Sequence, residues 1–342
     1  MNSRERVKAA MHFKPVDKAP LEYYYAPVGY YEHGEKLNDL YETLPGDFNP
    51  FTRMPIPGPG PEDYEPDGSY HAFRRDEWNT LWEYRIFGIT GIPKEYPIPD
   101  LDAIAQYTLP PALSTFKEDI ANIRKDIAAH QERYYAMMSG GSLIERLKQL
   151  LPDEEVYCGI ALDDPGICKL ADDICAYNAC MVERAIGAGA DCVSFGDDYG
   201  AEDRMLISPE SWRRFFKPRL EALIRPAVKA GLDVHFHSCG NIWPILEDMR
   251  EIGVTSIWPQ LPAYNMKELA DKCRSLGLAV AIHTDRANTM TFGSPEDVRE
   301  LVKREFETFR MMDGGSWFYV EADNGFPFAN IEALIQTIAQ WR

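Results

Sequence analysis

The stretch HFHSCGN, residues 235–241, places His237 and Cys239 two positions apart. An imidazole and a thiol at that spacing can hold a metal ion, supply a thiol nucleophile, or end a strand as buried core residues. Side chains two apart in a strand share a face, so His237 and Cys239 are expected to point the same way. Such a strand end can offer one imidazole nitrogen and one thiolate to Zn2+. Two donors are not a site, so a third must come from another strand. A catalytic zinc also keeps a fourth position open. His235 has the same parity one pleat deeper and reads as a hydrogen-bonded interior residue.

The other chemistry-bearing residues also fall at the ends of apolar runs. Glu321 and Asp323 close SWFYVEAD and share a face. Glu321 is the expected third ligand, with Asp323 as the alternative. Asp197 and Asp198 close ADCVSFGDDYG, and as neighbours only one of them can face inward. That one is expected to bind a substrate hydroxyl or to orient His237 as a hydrogen-bond acceptor. A purely structural role for it is the alternative. His283 and Asp285 share a face in LAVAIHTD, with Arg286 following, and either line a pocket or join an ion-pair network. The cluster Tyr23, Tyr24, Tyr25, Tyr30, Tyr31, Trp78 and Trp82 lies in the first hundred residues. Alternation sets Tyr23 and Tyr25 on one face and Tyr24 on the other. Such side chains either fill a core or wall an apolar pocket for a flat molecule. The expected substrate pocket draws on Tyr23, Tyr25, Trp82, Tyr199, Asn241, His283 and Asp285.

The elements that must position these residues alternate in type. SPESWRRFFKPRLEALIRPAVKAG has Ser208 as N-cap, Pro209 at the first helical position, and an apolar stripe from Trp212 to Ile224. SPEDVRELVKREFETFR repeats this design from Ser294, and a third helix is expected over about 165–188, ending at the glycines of GAGA. Strands are expected over 19–26, 134–141, 190–200, 232–240, 255–261, 278–285 and 316–323, with one more inside 72–90. Repeated strand–helix units require parallel pairing. Eight of them predict a (β/α)8 barrel, whose strand C-termini converge on one mouth. An open doubly wound sheet is the alternative, but it calls for a glycine-rich phosphate loop after its first strand. The chain reads as one domain over 1–342, with an irregular Tyr/Pro/Gly-rich part over about 1–111.

Composition narrows the function classes. The 342 residues are 45% hydrophobic and 26% charged, as in a globular protein. A net charge of −18 argues against a nucleic-acid partner. No run of 18 apolar residues exists, and the opening MNSRERVKAAMHF has no apolar signal core, so a cytoplasmic enzyme is expected. Seven cysteines in a chain of this length do not suggest a disulfide scaffold. A homodimer is compatible with the sequence, which does not set the oligomeric state.

SRERVKAAMHFKPVDKAPLEY, DEWNTLWEYR, SFGDDYG, LISPESWRRFFKPRL, HFHSCGN, TDR before TFGSPEDVRE, and NGFPFANIEALI together span the chain. In this order they resemble blocks of the uroporphyrinogen decarboxylase superfamily, and within it the cobalamin-dependent methyltransferases. The resemblance implies a (β/α)8 barrel with its site at the C-terminal mouth. In the thiol-methylating members zinc is held by the His-x-Cys pair and a second cysteine near the last strand. Here the pair is His237 and Cys239, but the last strand ends VEADNGFP without a cysteine. A carboxylate in its place leaves zinc harder and more electrophilic, which suits an ether or hydroxyl oxygen. The branch thus implied is the O-demethylase component, which moves a methyl group from a methoxylated aromatic to the Co(I) corrinoid of a partner protein. Super-reduced cobalt implies an anaerobic host. Methanol, methylamines, a thiol or tetrahydrofolate are the alternative methyl donors or acceptors. Decarboxylation of a porphyrinogen fits less well, because YYYAPVGYY after the first strand has no arginine for the carboxylates.

Overall fold

The computed structural model describes residues Met1–Arg342. Seven parallel strands form one curled sheet. They are β1 (Leu21–Tyr23), β5 (Met137–Gly141), β6 (Cys192–Gly196), β7 (Asp233–Ser238), β8 (Ser256–Pro259), β9 (Ala279–His283) and β10 (Ser316–Val320). Their order is β1-β10-β9-β8-β7-β6-β5. Helices follow most of these strands and pack outside. Three further strands, β2 (Ala72–Arg75), β3 (Leu81–Tyr84) and β4 (Ile92–Glu95), make a separate antiparallel sheet.

The architecture is an α/β barrel of the (β/α)8 type with one stave altered. The strand expected inside 72–90 lies in the antiparallel sheet and not in the barrel wall. Between β1 and β5 the wall is instead continued by residues 46–51. Asp47 accepts the Leu21 N–H through Oδ2 at 3.0 Å and donates its own N–H to the Leu21 carbonyl at 2.7 Å. Phe48 packs on Tyr135 and on Trp317, reaching from the side of β5 to β10. A side chain thus completes the ladder that a regular strand would make with backbone, satisfying the edge of β1.

Strand alternation sorts the two layers. Val193, Phe195, Val234, Phe236, Ile257, Val280, Ile282 and Phe318 face outward into the main apolar core. Cys192, Ala279, Ala281, Trp317 and Tyr319 form an interior cluster, joined at one end by Val7 and Met11 of the helix Ser3–Met11. Arg4 and Lys8 of that helix bind Asp191 just before β6. The helix signals hold at their N-termini. Ser208 caps Ser211, and Ser294 forms a capping box with Asp297. Asp164 and Gly189 bound the helix Pro165–Ala188. The helix expected from Pro209 is broken at Phe216 into Pro209–Phe215 and Lys217–Lys229, because Pro218 cannot donate back into the turn before it. No helix is long and apolar enough to cross a membrane.

Candidate metal centre at the barrel mouth

The carboxyl ends of β6 and β7 lie side by side, with Gly196 in register with His237. Inward parity on β6 runs through Cys192, Ser194 and Gly196 to Asp198, just past the strand. On β7 it runs through His235 and His237 to Cys239. Asp198, His237 and Cys239 therefore meet, with their ligand atoms all within 4.8 Å of one another. His237 Nε2 lies 3.5 Å from Cys239 Sγ and 3.5 Å from Asp198 Oδ1. Asp198 Oδ1 also accepts the Cys239 N–H at 2.8 Å, tying the two loops together.

The tautomer of His237 is set by a main-chain partner. Its Nδ1 donates to the Trp258 carbonyl at 2.9 Å, which leaves Nε2 as an acceptor aimed at the thiol and the carboxylate. Burial lowers the pKa of His237, against the opposing effects of Asp198 and the Trp258 carbonyl. Burial and then the Asp198 charge push the Cys239 thiol up to about 12. Three lone-pair donors thus converge with little besides a proton to hold them together, and a divalent cation resolves that conflict. Tetrahedral zinc bonds of about 2.0–2.3 Å place neighbouring N, O and S donors about 3.4–3.6 Å apart, which the observed separations from Nε2 match. The residues fit Zn2+ with one nitrogen, one sulfur and one oxygen donor and a fourth position open.

The carboxylate that meets the His237–Cys239 pair is Asp198, while the expected third ligands Glu321 and Asp323 lie outside this cluster. Glu321 does face inward, but β9 and β8 separate β10 from β7, whereas β6 is adjacent. Glu321 stays outside the cluster, and burial with the nearby Asp323 charge pushes it up to about 7, Arg286 opposing. Asp323 instead accepts from Arg286 at 3.2 Å. Asp197 faces outward and is fully buried. It receives Leu143 N at 2.7 Å, Glu145 N at 3.2 Å and Tyr199 OH at 3.0 Å, while burial raises it to about 7. It positions the loop after β5 and does not touch the mouth chemistry.

The expected substrate residues divide. His283 and Asp285 line a recess of about 60 Å³ beside His237 and Cys239, together with Trp258 and Arg286. Asp285 spends its oxygens capping the turn at Ala287, Asn288 and Thr289. Tyr23 and Tyr25 point away from the lumen and line another cavity of about 310 Å³, with Tyr23 OH on the Leu44 carbonyl at 2.8 Å. Tyr24 is the tyrosine that faces the mouth, over Tyr319 at 6.2 Å between centroids. Trp82 is buried in the antiparallel sheet with its indole N–H on Asp76, at 2.9 Å. Tyr199 is buried among Trp212, Phe216 and Phe236. Asn241 lies beyond the mouth, bonded to the Ala263 carbonyl at 3.1 Å.

Trp258, which sequence reading passed over, organises the wall of the site. Its ring lies 4.0 Å from His237 and 4.2 Å from Tyr319, and His283 completes the aromatic layer at 5.7 Å. The signal available was its parity in TSIWPQL, two positions from the inward Ser256. His235 sits below, as expected, bonded to Ser256 Oγ at 2.9 Å. The site is thus a metal-type donor set at the mouth of an α/β barrel, above a stack of flat side chains.

Comparison with known proteins agrees with the barrel fold. Residues 162–338, just over half of the chain, match the model of the uroporphyrinogen decarboxylase (URO-D) family, and the chain belongs to that family. No curated protein matches the sequence. In fold the chain is similar to a methyltransferase from Methanosarcina mazei, at 16% identity over 99% of both chains with a TM-score of 0.67. A dihydropteroate synthase from Xanthomonas albilineans overlaps 58% of this chain and 64% of its own at 12% identity, with a TM-score of 0.34. A sugar phosphate isomerase/epimerase from Parabacteroides distasonis overlaps 70% and 88% at 11% identity, with a TM-score of 0.35. These last two carry no argument about the site.

Proposed function

We propose that the protein is a zinc-dependent methyltransferase that takes the methyl group of a methoxylated aromatic compound and passes it to the corrinoid of a partner protein. The observation that carries this reading is the Asp198–His237–Cys239 cluster set against the aromatic face of Trp258. A single thiolate with a carboxylate and an imidazole makes a harder centre than two thiolates do, which favours an oxygen donor. The Methanosarcina methyltransferase of the same fold supports the reaction type.

When bound, Zn2+ supplies a Lewis acid for the ether oxygen, and the partner's Co(I) corrinoid supplies the electron pair for the methyl carbon. The ether C–O bond would break toward oxygen, leaving a phenolate, and the methyl group would pass to the partner's corrinoid. The chain's own residues bind and orient. Asp198, His237 and Cys239 would hold the metal. Trp258, Tyr319 and Tyr24 would flank the ring and exclude water. The open mouth is the face on which a corrinoid protein would dock. Porphyrinogen decarboxylation is disfavoured by the charges here. Arg286 is the cation at this recess, and it already faces Asp323.

The test is anaerobic incubation with reduced cobalamin and a panel of methoxyphenols, methanol, methylamines and methylated thiols. Methylcobalamin should form from a methoxyarene, and His237→Ala and Cys239→Ala should lose bound zinc and turnover together. Formation only from methanol, an amine or a thiol would reassign the donor. Absence of zinc from protein prepared without chelators would overturn the mechanism.

A further inference from the structure

Below the mouth, the lumen holds two polar side chains that the metal site does not use. Glu22 of β1 is in register with Tyr319 of β10, and both face inward. Glu22 makes one hydrogen bond, accepting the Trp317 indole N–H through Oε2 at 2.8 Å. Its other oxygen has no protein partner, yet the residue keeps solvent-accessible surface deep in the barrel. Tyr319 is 5% exposed, and its hydroxyl has no partner at all. Buried polar groups are nearly always paired, so the orphaned Tyr319 hydroxyl beside a carboxylate with a free oxygen points to a ligand. Ser194 of β6 and Ser139 of β5 also face inward and keep accessible surface.

We infer that Glu22 and Tyr319 bind a free hydroxyl on the substrate ring, so that the site selects methoxyphenols over fully methylated arenes. This rests on the methyltransferase reading above and adds the residues that set its substrate class. Trp258 packs against both Tyr319 and His237, at 4.2 Å and 4.0 Å between ring centroids. That spacing lets one substrate ring lying along the edge of this aromatic layer present a methoxy group to the metal cluster and a hydroxyl to the Glu22–Tyr319 pair. Glu22 can accept the hydroxyl proton, and the Tyr319 O–H can donate to the same oxygen. Burial, against the Trp317 hydrogen bond, pushes Glu22 up to about 7, which favours a neutral ligand group over an anionic one. A methyl in place of the hydroxyl proton would leave both protein groups unpaired, and sites of this kind reject such analogues strongly.

The experiment compares 2-methoxyphenol with 1,2-dimethoxybenzene on zinc-loaded protein. Binding is followed by tryptophan fluorescence without cobalamin, and turnover by methylcobalamin formation. Wild type should prefer the phenol by a factor of about 10 or more. Tyr319→Phe, which keeps the ring stack, and Glu22→Ala should bring that ratio close to one, with zinc content unchanged. Glu22→Gln should restore part of it. A wild type that demethylates both compounds equally overturns this inference alone, as does an unchanged ratio in Tyr319→Phe. A wild type that demethylates no methoxyarene overturns the enzymatic reading, and this inference with it.

Discussion

His237 presents its Nε2 to the Cys239 thiol at 3.5 Å because its Nδ1 is bound to the main chain of the next strand at 2.9 Å. The ring cannot flip without breaking that bond and burying an unpaired N–H. The donor set is thus pre-organised by strand pairing, and its third member is fixed by the same logic. Asp198 is held by the Cys239 N–H and arrives on the neighbouring strand.

Asp198→Ala should therefore lower zinc affinity at least tenfold, while Glu321→Ala should leave it within about threefold of wild type. Competition against a chromophoric chelator reads both values. The reverse result would make Glu321 the ligand and Asp198 its hydrogen-bonded support.

The loops carrying Asp198 and Cys239 touch through glycine. Gly240 has φ +69°, and a Cβ there would stand 2.1 Å from the backbone of Gly200. Gly240→Ala should push the loops apart. We expect about a tenfold loss of zinc affinity and a destabilisation of roughly 1–3 kcal/mol. Retained zinc affinity would show that the loops meet less tightly than described.

Asp47 joins Arg6 at 2.6 Å and also Arg342, with all three side chains almost wholly buried. The same carboxylate completes the edge of β1. Asp47→Ala leaves the buried Arg342 without a carboxylate and Arg6 with Asp17 alone, and should cost roughly 3–5 kcal/mol. Thermal unfolding should show this, and proteolysis should cut near residues 43–52 first. A neutral outcome would mean that the backbone of 46–51 holds the wall unaided.

Glu305 lies buried behind β9, accepting the Thr284 hydroxyl at 2.8 Å. Burial pushes it up to about 8 from an ordinary 4.5, with Thr284 opposing. The folded protein keeps this proton where the unfolded chain releases it. Its contribution is full below the unfolded value and is lost as pH rises through the folded one. Glu305→Gln has no proton to lose. Its Tm relative to wild type should climb by a few degrees between about pH 5 and pH 8.5. A difference that stays flat across this range would show that Glu305 is ionised in the fold.

Much of the barrel was legible because the wall strands are short, mostly apolar runs set between helices with clear N-caps. Seven of the expected strands lie in the wall. The eighth was not legible, because residues 46–51 pair through a side chain and leave no periodic trace, while 72–84 has a strand pattern and uses it elsewhere. The pair His237 and Cys239 was legible from spacing. The choice of Asp198 over Glu321 was not, since parity tells which way a residue faces and strand order tells which others it can reach. Parity along CVSFGDD could still have separated Asp198 from Asp197, the latter sharing a face with Val193 and Phe195. Tyr23 and Tyr25 were misplaced because the phase of so short a strand is set by Glu22 on Trp317, a contact remote in sequence.

The bond from His237 to Trp258 uses the carbonyl of Trp258 and not its indole. Residue 258 therefore has two separable parts: its backbone aims the His237 imidazole, and its side chain forms the aromatic wall beside it. Mutation can rewrite the second without touching the first. A lineage carrying this barrel could thus reshape the wall of its mouth, by replacements at 258 and its aromatic neighbours, while inheriting an unchanged orientation of His237 at every step.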